Sequence, residues 1–502
     1  VARVIGCKVW FDWDFNGSFT EETTNLVSAS GSLSFAPAEE SISASSGIVD
    51  ACDVELRNTA GRYSPLNSAG ALYADVQSGK AYHVPMYVEA TINGSTYYRI
   101  FTGVAKIPEE TGKSVEGIPT VRFTCRSKDE LILQKRYSTG QQYTKERNDS
   151  GFSEAQIINA WLTAAGVTSG DVTLDDGLLT IPWSWMDDES FLEDIWNIAA
   201  ATCGRFYCDA DGEFRYENAA HWLNAPHLTS QQTYTRDDYQ RLTARYKDDE
   251  LYDSISVEYS SRMAEGVALL WEPDEPIQIP ANTVKTIWGN FSYPAYTIAA
   301  LTYKAHSNGG ADITSSVTVT ATYYAQRAKL VIDNNHATLA ATVFPLQITG
   351  RPLVGGPTSE ESRNSTDHGT NSAFFATRGS RNRRISGNVY IQTRSQAAMI
   401  AQFLLDRHET PRIFYTLSGC PGNPQRRPGD LITINDNSVM SSSRTAYITA
   451  INWYYGGMSY TQDIDAMDAA TLFPANSGGV GYFVIGTNKL GTADSLRAAV
   501  FY

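Results

Sequence analysis

The sequence lacks most of the features by which membrane proteins, hydrolases and nucleotide-binding enzymes are recognised. No apolar run approaches the roughly 18 residues that would suggest a membrane-spanning helix, and Val1 to Trp10 lacks the long apolar stretch of a secretory signal. There is no Walker loop and no G-x-G-x-x-G, so no phosphate cradle is predicted. The seven histidines stand in separate contexts, none within HExxH, HxH or G-x-S-x-G, which leaves no zinc-hydrolase or serine-hydrolase signature. His221 and His227 flank Pro226 in a stretch that reads as a surface loop.

Cysteine and positive charge are also scarce. Cys7, Cys52, Cys125, Cys203, Cys208 and Cys420 are scattered, and only Cys203 and Cys208 are near neighbours. Four intervening residues and no supporting histidine pair give no zinc spacing. Cys203 is predicted to end a helix and Cys208 to lie on the next strand, with all six as free buried thiols formed in a reducing compartment. Lys and Arg total 40 against 55 Asp and Glu, a formal charge of −15. A protein that grips nucleic acid relies on Lys and Arg, so that role is disfavoured.

What the chain does have is core-forming material: 42% hydrophobic and 11% aromatic residues, which argues against disorder. At 502 residues it exceeds one core and should divide into roughly three to five domains. The texture is mainly β with α+β modules. Val9-Trp10-Phe11, Tyr87 to Ala90 and Val121 to Thr124 are strand-like, and Asn93-Gly94 between strand-like flanks predicts a hairpin. These fill an N-terminal β domain, 1–135, read as a barrel or sandwich.

Helices follow. Ser153-Glu154-Ala155-Gln156 is a capping box; Ile157, Trp161, Leu162 and Ala165 share the face behind it, and Gly166 ends the helix. Ser190 and Glu193 open a second helix that Gly204 is expected to stop, before a hairpin turning at Asp209-Ala210-Asp211-Gly212. This makes an α+β module over 136–225, followed by a connecting β segment, 226–270. Alternation at Val317 to Tyr323, Ala328 to Ile332 and Ala341 to Val343 predicts an inserted β-sandwich, 271–353. An Arg/Gly/Ser-rich stretch, 354–386, reads as a loop; with Arg351 it carries Arg363, Arg378, Arg381, Arg383 and Arg384. Docking of that loop on an acidic neighbour is favoured over contact with DNA. A third boxed helix from Thr393 and several strands form a C-terminal α+β domain, 387–474. A Gly-rich extension, 475–502, holds one strand-like run, Tyr482 to Ile485.

Few residues point to chemistry. Asp187, Asp188, Glu189, Glu193 and Asp194 crowd a helix start, where dipole and capping effects alone favour acids. A glycosidase pair there is the minor alternative. Asp12-Trp13-Asp14-Phe15-Asn16-Gly17 matches the opening D-x-D-x-N-G of a calcium loop, but its twelfth position is Thr23 rather than Glu. Asp12, Asp14 and Asn16 are therefore the candidate metal ligands. An Asx-rich turn is the leading reading and structural calcium the second. Trp183-Ser184-Trp185 and Tyr454-Tyr455 are read as core or interface before sugar platforms.

Several segments, in order, resemble tail-hub (baseplate-hub) proteins of siphophages. They are the opening strand with its DWDFNGSF turn, SGIVDACDVELRNTAGRYSPLN from Ser46 to Asn67, and GRFYCDADGEFRYEN from Gly204 to Asn218. PLQITGRPL from Pro345 to Leu353, YIQTRSQAAMIAQFLLDRHETPR and PGDLITI complete the order. The resemblance implies a tail-hub fold with tube-like β-barrel domains at the two ends, shared with hubs of contractile tails and type VI secretion spikes. It implies a virion protein made in the host cytoplasm. The expected form is a homotrimeric ring joining tail tube to tail tip and gating passage of tape measure and DNA. The implied partners are its own copies, the distal tail ring protein, the tail tube, the tape-measure protein and the tip fibre proteins. DNA would pass without specific binding, and the host surface would be met through neighbours. No enzyme activity and no cofactor beyond that calcium are implied. A receptor- or glycan-binding tail-tip protein, acting through the inserted β domain, is the alternative.

Overall fold

Period-two alternation decides where the first strands lie and which way they face. In the computed structural model, which describes residues 3–34, 49–70, 72–78, 83–111, 117, 119–138, 152–247, 250–365, 373–409 and 411–472, β1 (Gly6–Phe11) turns Cys7, Val9 and Phe11 inward. β2 (Leu26–Ser34), β3 (Ala51–Arg57), β4 (Val84–Thr91), β5 (Tyr98–Ala105) and β6 (Thr120–Ser127) complete this part. β4 and β5 pair across the predicted Asn93-Gly94 turn, where the Asn93 side-chain oxygen accepts the N–H groups of Ser95 and Thr96.

The middle of the chain builds a separate core. α1 (Glu154–Ala164) begins at the Ser153–Gln156 capping box and ends at Gly166, whose φ is +82°. β7 (Asp187–Ser190) leads into α2 (Phe191–Ala200). The left-handed residue that ends α2 is Cys203, φ +56°, rather than Gly204. Gly204 is needed for space instead: a Cβ there would lie 2.6 Å from the Tyr216 hydroxyl and 2.9 Å from the Glu217 carbonyl. β8 (Arg205–Cys208) and β9 (Phe214–Glu217) form the predicted hairpin. β10 (Gln232–Thr235), β11 (Arg241–Lys247) and β12 (Ser254–Tyr259) follow.

The inserted sandwich is built from β13 (Thr283–Asn290), β14 (Ala295–Ser307), β15 (Val317–Tyr323), β16 (Arg327–Asn334) and β17 (Ala341–Gly355). Its own core includes Leu270, Ile279, Ala305, Leu330, Val343 and Ile348.

The stretch expected to be a loop holds two strands and a short helix, Ala373–Arg378. β18 (Ser359–Asn364) pairs antiparallel with β12, and β19 (Asn382–Ile385) pairs parallel with β12 from the other side. β18 is built of Ser, Glu, Arg and Asn and is half open to solvent along its length, so it carries no apolar alternation by which a sequence reading finds strands. α3 (Arg394–His408) also departs from expectation. Its face Ala397, Ile400, Ala401, Leu404 and Leu405 packs into the middle core with Trp161 and Leu192, not into a core with the strands that follow it. Those strands are β20 (Arg412–Pro421), β21 (Leu431–Asn435), β22 (Arg444–Gly456) and β23 (Ser459–Asp468). Tyr482 to Ile485 and the 475–502 extension lie outside the described residues.

First and last parts of the chain share one sheet. Its 14 strands run β11-β20-β23-β22-β2-β3-β6-β5-β4-β1 and end on Thr20–Glu21, while β21 joins β22 and carries β10, and the short strand Glu109–Thr111 pairs with β6. The link is β2 on β22, antiparallel from Ser28↔Gly456 to Ser34↔Ala450. Gly31 opposes Trp453 there, and a Cβ on it would sit 2.7 Å from the indole and 2.8 Å from the Ala51 carbonyl. The buried Trp453 and Tyr460 are consequently part of the N-terminal core. Among the described residues this sheet has two free ends and the whole is mainly β, with helices confined mostly to the middle core.

Candidate functional site

The Asp12 turn forms, held together by hydrogen bonds. Buried Asp12 accepts the Asn16 N–H on one carboxylate oxygen at 3.1 Å and the Gly17 N–H on the other at 2.8 Å. The Asn16 side chain accepts the Ser18 N–H at 2.8 Å, and Asp14 is exposed. Glu22, one of the acids nearest the missing twelfth ligand, is buried and taken by the Trp13 indole N–H, the Tyr63 hydroxyl and Arg62. Glu21 pairs with Lys8 at 3.3 Å. The acids do not converge, and among the described residues no three His, Cys, Asp or Glu side chains are grouped to hold a metal. The expected result is one melting temperature in millimolar calcium and in chelator. Calcium that bound only the folded state would raise stability by ~2.7 kcal/mol at a hundredfold excess over its Kd, and a rise of that size would return the ion to the turn.

The acids at the start of α2 are divided between a seam and a core. Asp187 meets Arg327 of β16 at 3.0 Å, and Asp188 meets Arg327 at 3.6 Å and Arg136 at 3.8 Å. Arg327 thereby ties the inserted sandwich to the middle core, a role no sequence pattern announced. Asp194 is buried and accepts the Trp161 indole N–H at 2.8 Å and the Tyr390 hydroxyl at 2.8 Å. Burial pushes its carboxyl well above the ordinary range, against the pull of the Tyr390 bond. Burial and then the neighbouring Asp187 raise Glu189 as well. An acid closed in by Trp161 and Tyr390 is an anchor for packing, and the Glu189 carboxyl lies against it.

The tryptophan cluster is also structural. Trp183 is buried, meets Tyr296 edge to face at 5.6 Å, and its backbone N–H donates to Gln392. Tyr390 donates to the Trp185 carbonyl at 3.0 Å. Tyr454 is half exposed and Tyr455 packs against the N-terminal core.

Four arginines of 351–384 have partners within the chain. Arg351 donates to the carbonyls of Glu265 and Ala264, Arg363 pairs with Glu361 at 2.7 Å, and Arg384 pairs with Glu258 and Glu360. Arg383 lies over the Tyr252 ring and near His408. Arg384, on β19, thus helps to hold β12 and β18 together.

Two further contacts fix the modules on one another. The hairpin tip between β8 and β9 reaches β5: Thr102 donates to the Ala210 carbonyl at 2.8 Å, and a Cβ on Gly212, φ +86°, would lie 2.7 Å from the Thr102 methyl. Arg427, in the turn before β21, donates to the Arg99 carbonyl of β5 at 2.7 Å.

The expected surface histidines instead meet each other. His221 and His227 approach at 3.1 Å through their Nε2 atoms. The His221 Nδ1 lies 2.8 Å from Asp175, and its Nε2 3.3 Å from Glu217. The His227 Nδ1 lies 2.8 Å from the Gly429 carbonyl. Trp222 between them stacks on Tyr447 of β22 at 4.9 Å.

These features define a mainly β, multi-module protein whose conspicuous sites are joints between modules. No protein-family model matches the chain, and no curated protein does. Among solved structures it is similar to the tail protein from Neisseria meningitidis MC58, with 9% identity and a TM-score of 0.49 over 94% of this chain and 99% of that one. It is also similar to the 43 kDa tail protein of prophage MuSo2 from Shewanella oneidensis, with 10% identity and a TM-score of 0.45, covering 93% and 99% of the two chains. The E. coli c3393 protein, a component of the type VI secretion system, is similar at 8% identity and a TM-score of 0.37, covering 88% of this chain and 73% of that one.

Proposed function

We propose that this chain is the tail hub of a long-tailed phage-like particle, a structural virion protein without catalytic activity of its own. One observation carries the proposal: segments that resemble hub proteins, far apart in sequence, meet at the joints of the fold. The DWDFNG turn is tied through Glu22 to Arg62 and Tyr63 of the NTAGRYSP segment. The CDADGEF hairpin docks its tip on β5, and the PGDLITI segment forms β21 beside β22, which continues into the N-terminal sheet through β2.

In this reading the two ends of the chain supply the tube-like wall, closing into barrels only when copies assemble, while the middle core and inserted sandwich sit outside it. The complete unit is a homotrimeric ring between tail tube and tail tip. It contacts the distal tail ring protein, tube, tape-measure protein and tip fibres, and it gates DNA without gripping it. A charge of −15 suits a wall that must not hold phosphate. Gold-labelled antibody against this chain should decorate purified particles at the distal end of the tail. Label on the head or along the tube would overturn the assignment. Clearing of host cell walls by the purified chain, abolished by one substitution, would overturn the non-enzymatic part.

A further inference from the structure

We propose that His221 and His227 form a proton-operated clasp that joins the β8–β9 module to the β21–β22 strands near neutral pH and releases them in acid. The inference stands independently of the tail-hub reading. It rests on counting protons at four short contacts. A backbone carbonyl only accepts, so the His227 Nδ1 facing Gly429 at 2.8 Å carries the hydrogen. The His227 Nε2 is then a bare acceptor while that ring is neutral. The His221 Nδ1 faces the Asp175 carboxylate at 2.8 Å and carries a hydrogen too. The His221 Nε2 lies 3.1 Å from the His227 Nε2, so one proton is held between the two rings, and the Glu217 carboxylate stands 3.3 Å from the His221 Nε2. That proton closes the contact from either ring, and because the carboxylates of Asp175 and Glu217 both face His221 we place it there, leaving His227 neutral.

Charges around the pair suit that arrangement. Asp175 and Glu217 face His221, while Arg205 and Tyr207 of β8 both bond Glu217. On the other side are Asp430, paired with Arg426 at 3.2 Å, and the Tyr447 hydroxyl, which donates to the His227 carbonyl. Arg205 also lies over Trp222, 3.7 Å from its ring. Burial first, and then His221 and Arg205, lower the His227 pKa, with the Gly429 bond and the Glu217 charge opposing them.

A proton taken from solvent by the His227 Nε2 would set two N–H donors and two cations face to face at a 3.1 Å separation. The sign follows. An imidazole whose folded pKa is depressed contributes stability above its ordinary value of about 6.5, and loses it as pH falls from there towards the folded value. The clasp therefore opens on acidification. What it releases is the joint carried by the Trp222–Tyr447 stack and the turn at Gly429.

Imidazole nitrogen NMR of the full chain with labelled histidine tests the proton count. At about pH 7, His221 should be doubly protonated and His227 a neutral ring with its hydrogen on Nδ1. Hydrogen exchange tests the opening. Protection at 218–230 and 427–432, corrected for intrinsic rates, should fall by about tenfold for each unit by which the folded pKa is lowered, and His227→Asn should abolish that fall. The variant keeps an uncharged donor for Gly429 but cannot titrate. A neutral His221 at neutral pH, a charged His227, or the same acid opening in His227→Asn would overturn the clasp; the wild-type spectrum decides even if the variant folds poorly.

Discussion

Trp453→Ala should destabilise the unit formed by the two ends of the chain by about 3–5 kcal/mol, the cost of emptying a large buried aromatic site. The indole is 2% exposed and sits in the N-terminal core although it belongs to the penultimate strand of the fold. Gly31 opposite it has no side chain with which to fill the vacated space. The loss should appear as a lower urea midpoint and as faster amide exchange in β2 and β22, with α1, α2 and α3 in the middle core little changed. A protein of several cores need not unfold in one step, so the location of the loss matters as much as its size. Equal loosening of both cores would show that β2–β22 pairing is not a separate joint.

Asp194→Ala should be a strongly damaging change in the middle core. It removes the acceptor of the Trp161 indole and leaves Tyr390 with only the Trp185 carbonyl. A buried donor stripped of its partner costs roughly 1–3 kcal/mol, and the emptied volume adds to it. Asp194→Asn keeps an oxygen in place and separates packing from charge. Burial raises the folded pKa of Asp194, so its protonated form is favoured and its contribution is complete below the ordinary carboxyl value of about 3.9. That contribution declines as pH rises towards the folded pKa. The stability of the parent minus that of Asp194→Asn should therefore fall with rising pH. A difference that is flat, or that grows with pH, would contradict a buried, protonated Asp194.

How much of this was legible in the sequence depended on whether a residue's role was local. The caps at Ser153, Ser190 and Thr393 were readable because each bonds an N–H three residues away. The β8–β9 hairpin was readable because Asp209 and Gly212 satisfy its turn locally. Alternation revealed β1 and β15, which have one buried face. It could not reveal β18, a polar strand against β12. Nor could it place α3, whose apolar face is plain but whose partner core lies some 200 residues upstream. Arg327 was invisible for the same reason, since its acids are 140 residues away. The His221–His227 pair had a signal, two histidines six residues apart around a proline, but that spacing alone does not make a site. What made them meet is Asp175 on one side and Gly429 on the other, neither visible as a partner from the chain.

The copy number and symmetry at the tail end decide the central proposal. A reconstruction of purified particles should show three copies of this chain in one closed ring at the distal end of the tube, with the sheet formed by the chain's two ends lining the channel and the inserted sandwich outside. A single copy, or a ring without threefold symmetry whose channel is lined by the middle core, would contradict it.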